Sequence, residues 1–274
     1  MSETAVKGKE YFALEDDRTS CSLTMMPLQS SVVYGPMDSR RFGKSLGINL
    51  LPKDQKVCSY ACVYCQYEEP SRHEACDFPT LSEIRAETEA AFAEAKHAKR
   101  KLDWIMFSGN GEPTLHPDFL RAVETVIQMR NLYLPTVPLG ILSNSTTCYL
   151  PDVQAAISKL NGKFMKLDAG NMRVFRAVNR PESTLLWGDV ICGLYRLPGC
   201  VVQSMFISGR VDNTSPEAVD DWVRALEYIQ PKSVQIYTAE RATSLPGVLP
   251  VSRERLDAIA SKLRLTTRIP AEVF

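Results

Sequence analysis

The chain has 274 residues, 45% of them hydrophobic, and its 32 basic and 32 acidic side chains leave no formal net charge. That length suits one large domain as well as two small ones, and the balanced charge argues against a broad electrostatic footprint for nucleic acid without excluding a local one. No apolar run is long enough to span a bilayer, and the opening MSETAVKGKE is polar with no hydrophobic signal segment, which predicts a cytoplasmic protein.

Along the chain, short apolar runs rich in branched residues alternate with longer amphipathic segments. The first strand is SLGINLL (45–51), followed by a cysteine-bearing loop and a helix over about 81–98, opened by Thr80 and Glu83 in a capping-box arrangement. LDWIMF is the second strand, with a helix beginning near Pro117, and LGILS is the third, ahead of the helix PDVQAAISKL. KFMKL is the fourth, ahead of helical stretches over about 172–197 interrupted at Pro181. VVQSMFI is the fifth, after which Ser215 and Pro216 supply an N-cap and a first-turn proline. SVQIY is the sixth, and a last helix starts near Ser252. Consecutive strand-helix units imply a parallel α/β sheet with right-handed crossovers, either doubly wound or a barrel. The expected organisation is an N-terminal extension over 1–44 and a core domain over 45–274 that includes a short C-terminal helix.

The densest chemical signal is VCSYACVYCQY, where Cys58, Cys62 and Cys65 fall within eight residues. Thiolates so spaced can wrap one soft centre, an iron–sulfur cluster or zinc. A zinc knuckle would recruit His73 or Cys76 as fourth ligand. A four-iron cluster held by three cysteines would instead leave one iron open to bind and polarise a small molecule. The other cysteines, Cys21, Cys76, Cys148, Cys192 and Cys200, lie apart with no disulfide-scaffold pattern and are expected as reduced thiols.

The C-x3-C-x2-C spacing, with Tyr64 before its last cysteine, resembles the radical S-adenosylmethionine (radical SAM) superfamily. The stretches SRRFGKSLGINLLP, CSYACVYCQY, FSGNGEPTLHP, KLDAGNMRVFRAVNRP and QIYTAER are most similar to its stand-alone iron–sulfur oxidoreductases. More distantly they resemble the wybutosine-tRNA radical enzyme and glycyl-radical activating enzymes. The resemblance covers about three quarters of the chain. It implies a partial (β/α)6 TIM-like barrel with the site at the C-terminal ends of the strands, where such folds collect function. It also implies a [4Fe-4S] cluster on the three cysteines, S-adenosyl-L-methionine (SAM) as cofactor, and a low-potential electron donor such as flavodoxin or ferredoxin. The expected activity is reductive SAM cleavage to a 5′-deoxyadenosyl radical that abstracts hydrogen from a small molecule or peptide. An RNA-modifying radical enzyme and a non-catalytic zinc module are the alternatives. No second cysteine cluster follows near the C-terminus.

The same resemblance assigns further residues. SGNGEP matches the family's GGE motif, so Gly111 and Glu112 fall at the methionine amino group, with Asn110 in place of the first motif glycine and Gly109 beside it in a turn that lets the backbone approach the cofactor. Ser143 and Asn144 match a TNG-like segment suited to ribose hydroxyls. Asp168 is expected near cofactor or substrate as the catalytic group, although a buried ion pair with Lys166, two positions earlier on the same strand face, explains it equally well. Tyr237 and Thr238 close the sixth strand, where adenine contacts occur or plain packing serves. Arg40, Arg41 and Lys44, and Arg173, Arg176 and Arg180, could clamp a phosphate or carboxylate, yet solvated faces are the commoner fate of charge runs. His97 is expected at the surface and His116 in a turn beside the site.

Overall fold

A computed structural model of the chain describes residues 25–67, 69–70, 76–241 and 243–274. In chain order the elements are β1 (Val33–Ser39), β2 (Gly43–Ile48), α1 (Leu81–His97), β3 (Trp104–Phe107), α2 (Phe119–Tyr133), β4 (Leu139–Ser143), α3 (Pro151–Ser158) and β5 (Gly162–Lys166). There follow α4 (Met172–Asn179), α5 (Trp187–Tyr195), β6 (Val201–Phe206), β7 (Ser208–Gly209), α6 (Pro216–Ile229), β8 (Ser233–Thr238), β9 (Val248–Leu249), α7 (Arg253–Thr267) and β10 (Ala271–Val273). All six strands read from the sequence are present.

Local chemistry sets the helix starts. In the α1 capping box, Glu83 N donates to Thr80 Oγ1 at 3.2 Å while Thr80 N donates to Glu83 Oε2 at 2.7 Å. Ser215 caps α6 and Ser252 caps α7 through the same kind of bond. The break at Pro181 separates α4 from α5, and α4 ends on Arg180 in the left-handed region at φ 44°.

One sheet runs in the order β1-β2-β3-β4-β5-β6-β8-β10, while β7 and β9 form a separate two-stranded ribbon. Every neighbouring pair in the large sheet is parallel except β1 with β2. The order never reverses, so right-handed crossovers place all the helices on one face, and the choice between a doubly wound sheet and a barrel falls to the barrel. Its edge strands β1 and β10 do not pair with each other, which leaves the barrel partial and open.

Two strands of this sheet escape a pattern reading. β1 (VYGPMDS) carries Gly35 and Pro36 in its middle and an irregular register, features that argue against a strand until an edge position is available for them. β10 is only three residues long. The sheet therefore begins at Val33, and β2 itself runs across residues 44 and 45.

Alternation along the strands divides the interior. Ile105, Phe107, Leu139, Ile141, Met165, Val202, Phe206, Val234 and Ile236 face the helices in the largest apolar core. Phe42, Met106 and Phe164, with Trp104, Leu142 and Val201 against them, form a separate cluster on the concave face. Phe42 meets Phe164 edge-on at 4.6 Å, and Trp104 meets Phe164 at 5.6 Å. The turn between β1 and β2 reaches across the open side of the barrel: Arg40 pairs with Glu240 at 2.6 Å, and Arg41 lies over the ring of Tyr237 in β8. Among the described residues no helix is long and apolar enough to cross a membrane.

Candidate active site

The loop after β2 carries the three cysteines and is held from several sides. Val57 N donates to Asn110 O and Glu112 N to Val57 O, so the start of the loop pairs with the segment after β3. Gly111 makes that approach possible: at φ 135°, a Cβ there would stand 1.9 Å from Val57 O. Residues 59–63 run against the end of α4 and the stretch that follows it, through Ala61 N to Arg180 O, Val63 N to Val178 O and Glu182 N to Ser59 O. Ser244 N and Leu245 N close the other side on Cys65 O and Val63 O. The sequence interruption at Pro181 thus serves the site, because a continuous helix would hold its backbone donors and acceptors to itself.

Each cysteine sulfur has its own nitrogen donor. Asn144 Nδ2 lies 3.6 Å from Cys58 Sγ, Asn179 Nδ2 3.4 Å from Cys62 Sγ and Lys56 Nζ 3.2 Å from Cys65 Sγ. Amide and ammonium donors aimed at sulfur suit thiolates, since a neutral thiol is a weak acceptor. Burial, above all other causes, pushes the thiols of Cys58 and Cys62 up, to about 12 and about 11 respectively, and the neighbouring Lys56 and Lys166 charges pull the other way. A cation bound at the sulfurs would favour their ionised form in this setting. Among the described residues no three His, Cys, Asp or Glu side chains stand close enough together to hold a single metal ion. A four-iron cube asks for a different arrangement, with one thiolate at each of three corners. Three cysteines on one loop, each with a nitrogen donor at its sulfur, are the kind of ligand set such a cluster uses, while His73 lies outside the described residues, as does Cys21. The described cysteines are all free thiols; Cys148 and Cys200 are buried and Cys192 is exposed.

Glu112 is buried and engaged. Its Oε1 accepts from Thr114 N, Thr114 Oγ1 and Ser143 Oγ at 3.1, 2.6 and 2.9 Å, and its Oε2 accepts from Asn144 N at 2.5 Å. Burial raises its carboxyl above the ordinary range, and those donors pull the other way. Ser143 and Asn144 are thus brought to the site but face the protein: Ser143 holds Glu112, and Asn144 Nδ2 also bonds Ser59 Oγ at 2.9 Å. Asn110 bonds Gln29 and Pro52 through its amide and accepts from Gln29 N, so its side chain stitches the N-terminal segment to the loop. Gly109, at φ 153°, packs against Asn49, which accepts from Asn110 N.

Asp168 is the centre of a second buried network. Tyr64 Oη donates to its Oδ2, Asn179 Nδ2 reaches the same oxygen at 2.7 Å, and Met205 N donates to Oδ1 at 2.8 Å. Lys166 Nζ stands 3.6 Å from Oδ1 and donates to Tyr237 Oη at 2.8 Å. Burial would lower the Lys166 ammonium, but Asp168, with Tyr237 and Cys62, outweighs it and raises the group. The Asp168 side chain has 0% exposure against 19% for Lys166, so the carboxylate expected as the catalytic group ties β5 to the cysteine loop, α4 and β6. The ion pair weighed for it in the sequence is present.

The basic runs separate into different fates. Arg40 and Lys44 pair at the surface with Glu240 and Asp38, and Arg173 pairs with Glu217. Arg180 lies beyond α4, so it does not share a helical face with Arg173 and Arg176. Arg41 turns inward onto Tyr237, its Cζ 4.3 Å from the ring centroid. Thr238 is used internally, donating to Phe206 O and accepting from Val251 N. His116 is buried in its turn and His97 is exposed. Lys56, Ser59, Thr114, Thr146 and Asn179 escaped the sequence reading; only the nearness of Lys56 to Cys58 in QKVC could have flagged any of them.

No family model matches the chain. It is 30% identical over 247 residues to a GTPase Obg of Brachyspira hyodysenteriae, a match covering 88% of this chain and 34% of that protein. It is 28% identical over 235 residues to the UPF0026 protein MJ1312 of Methanocaldococcus jannaschii, covering 84% and 70%. A UPF0026 protein of Helicobacter pylori is 34% identical over 154 residues, covering 56% and 47%. The chain thus spans about a third of the first of these relatives and about half of the last. It contains no Gly-x4-Gly-Lys-Ser/Thr phosphate loop, and the GTPase of that first name stays with that protein. Among solved structures, a radical SAM methyltransferase from Sphaerobacter thermophilus superposes with a TM-score of 0.65 at 17% identity, over 87% of this chain and 67% of that one. The chain has the radical SAM fold. Streptococcus suis SuiB bound to S-adenosylmethionine shares it with a TM-score of 0.58 at 12% identity, over 83% and 50% of the two chains. TYW1 with a lysine-pyruvate adduct shares it at 0.56 and 15%, over 81% and 74%. On a radical SAM fold the cysteine loop, the Glu112 turn and the Asp168 network all lie at the C-terminal ends of the parallel strands, where open α/β sheets and barrels gather their ligands.

Proposed function

We propose that the chain is a radical SAM enzyme, with a [4Fe-4S] cluster on Cys58, Cys62 and Cys65 and SAM at the iron that no cysteine holds. The observation that carries this reading is the set of three cysteine sulfurs on one loop, each with its own nitrogen donor. When bound, the cluster would pass an electron to the SAM sulfonium, releasing methionine and a 5′-deoxyadenosyl radical that takes a hydrogen atom from substrate. The electron would come from a low-potential donor of the flavodoxin or ferredoxin class.

The chain's own residues bind and orient. Lys56, Asn144 and Asn179 stabilise thiolate charge at the three sulfurs. Glu112 Oε2 accepts one bond from the protein, which leaves a lone pair for the methionine amino group. Tyr64 and Asn179, both bonded to Asp168, position the last two cysteines. Asp168 acts here through its neighbours, as a positioning residue.

Protein reconstituted without oxygen should hold about four iron and four sulfide per chain. Given a competent reductant, it should then convert SAM to methionine and 5′-deoxyadenosine. Glu112→Gln should keep the iron and lower SAM affinity by about 1.5 to 3 kcal/mol in calorimetry. Zinc without sulfide in protein purified anaerobically would overturn the reading. So would a full cluster that yields no 5′-deoxyadenosine with a strong reductant, even with cell extract as a source of substrate.

A further inference from the structure

Two cations stand by the ring of Tyr237 on β8, Arg41 Cζ at 4.3 Å and Lys166 Nζ at 5.2 Å from its centroid. Lys166 is matched by Asp168 at 3.6 Å and by Tyr237 Oη. Arg41 lies over the Tyr237 ring itself, and among the described residues it has no carboxylate partner. Its Nη1 is buried and has no hydrogen-bond acceptor among the described residues. Glu112, the other buried carboxylate of the site, gives its oxygens to Thr114, Ser143 and Asn144. Glu240, next along from β8, is paired with Arg40.

A buried guanidinium donor without an acceptor is costly, and native proteins leave few of them. Stacking on Tyr237 satisfies the face of the guanidinium and leaves its in-plane N–H groups to be filled. Those N–H groups form the fork that matches a planar or tetrahedral oxyanion. We infer that Arg41 and Lys166 bind an oxyanion of the substrate, a carboxylate or a phosphate, beside Tyr237 on the concave face. The inference rests on the radical SAM reading only for naming that anion as substrate. The geometry separates Arg41 from Arg40 and Lys44, its neighbours in the same basic run, which are spent on surface carboxylates.

The test uses the anaerobically prepared holoprotein with two probes, inorganic phosphate followed by its 31P line width and acetate followed by saturation transfer to its methyl group, with sodium chloride matching ionic strength. At least one probe should bind the wild type, and Arg41→Gln should weaken it about tenfold or more, as loss of a charge-assisted hydrogen bond requires. Arg41→Lys should fall between the two, and Arg40→Gln should bind as the wild type does. Binding of phosphate alone assigns a phosphoryl substrate, and binding of acetate a carboxylate. Equal binding by wild type and Arg41→Gln, or none by the wild type, overturns the site. If Arg41→Gln lowers SAM affinity by the same factor, the anion is the cofactor's own carboxylate and the substrate assignment fails. Anion binding that depends on Arg41 in a protein that never forms 5′-deoxyadenosine would keep the site and remove the radical chemistry.

Discussion

The two halves of the concave face are built from the same strands and do opposite things. On β5 the inward residues run Phe164, Lys166 and then Asp168 just past the strand end, so two residues, about 7 Å of strand, separate an aromatic plug from a buried ion pair. The lower half, with Phe42, Trp104, Met106 and Phe164, excludes water and asks nothing of its neighbours but volume. The upper half gathers Tyr64, Asp168, Lys166, Asn179 and Tyr237, each of which needs its partners in place. Burial stabilises the first by default and threatens the second unless every polar group is matched.

The sharpest way to break this division is at the cysteine loop. Replacing any of Cys58, Cys62 or Cys65 with Ala should abolish iron and sulfide binding altogether, while Cys148→Ala, buried behind the sheet, should leave both unchanged; metal and sulfide analysis decides. Next in size, Phe164→Ala should cost about 3 to 5 kcal/mol in denaturant unfolding while iron content is retained, because the lower half contributes packing alone. Asp168→Ala should cost on the order of 3 kcal/mol by stranding Lys166, and should also reduce iron retention through Tyr64 and Asn179, which Phe164→Ala should not. Adding Lys166→Met to Asp168→Ala should recover part of the stability but not the iron, since the unpaired charge is removed and the hub is still missing.

The smallest effect is one of pH. His116 Nδ1 accepts from Asp118 N at 3.0 Å, and Nε2 lies 2.9 Å from Pro79 O, so the folded state uses the neutral ring with its proton on Nε2. Burial lowers its pKa below the ordinary value of about 6.5. The unfolded chain therefore binds the proton first, and the contribution of His116 is present above about pH 6.5 and lost as pH falls toward the depressed folded value. Unfolding of wild type and His116→Gln measured from pH 7.5 downward should show a steeper loss for the wild type; parallel curves would remove His116 as the cause.

Much of this molecule is written locally. The six central strands, the capping box at Thr80, the serine caps of α6 and α7 and the break at Pro181 follow from side-chain period and backbone chemistry, which neighbours in sequence decide. The cysteine spacing and the Glu112 turn were legible for the same reason. Partnership was not. That Asn144 and Asn179 serve sulfurs, that Gly111 admits Val57, and that Arg41 faces Tyr237 while Arg40 takes Glu240 depend on groups more than fifty residues apart meeting across strands. β1 and β10 likewise exist because β2 and β8 offer unpaired edges. Sequence determined which residues carry chemistry and roughly where each element lies. The tertiary structure decided which of them are spent on one another, because a buried polar group takes the partner that folding brings within about 3 Å, however far away it lies in the chain.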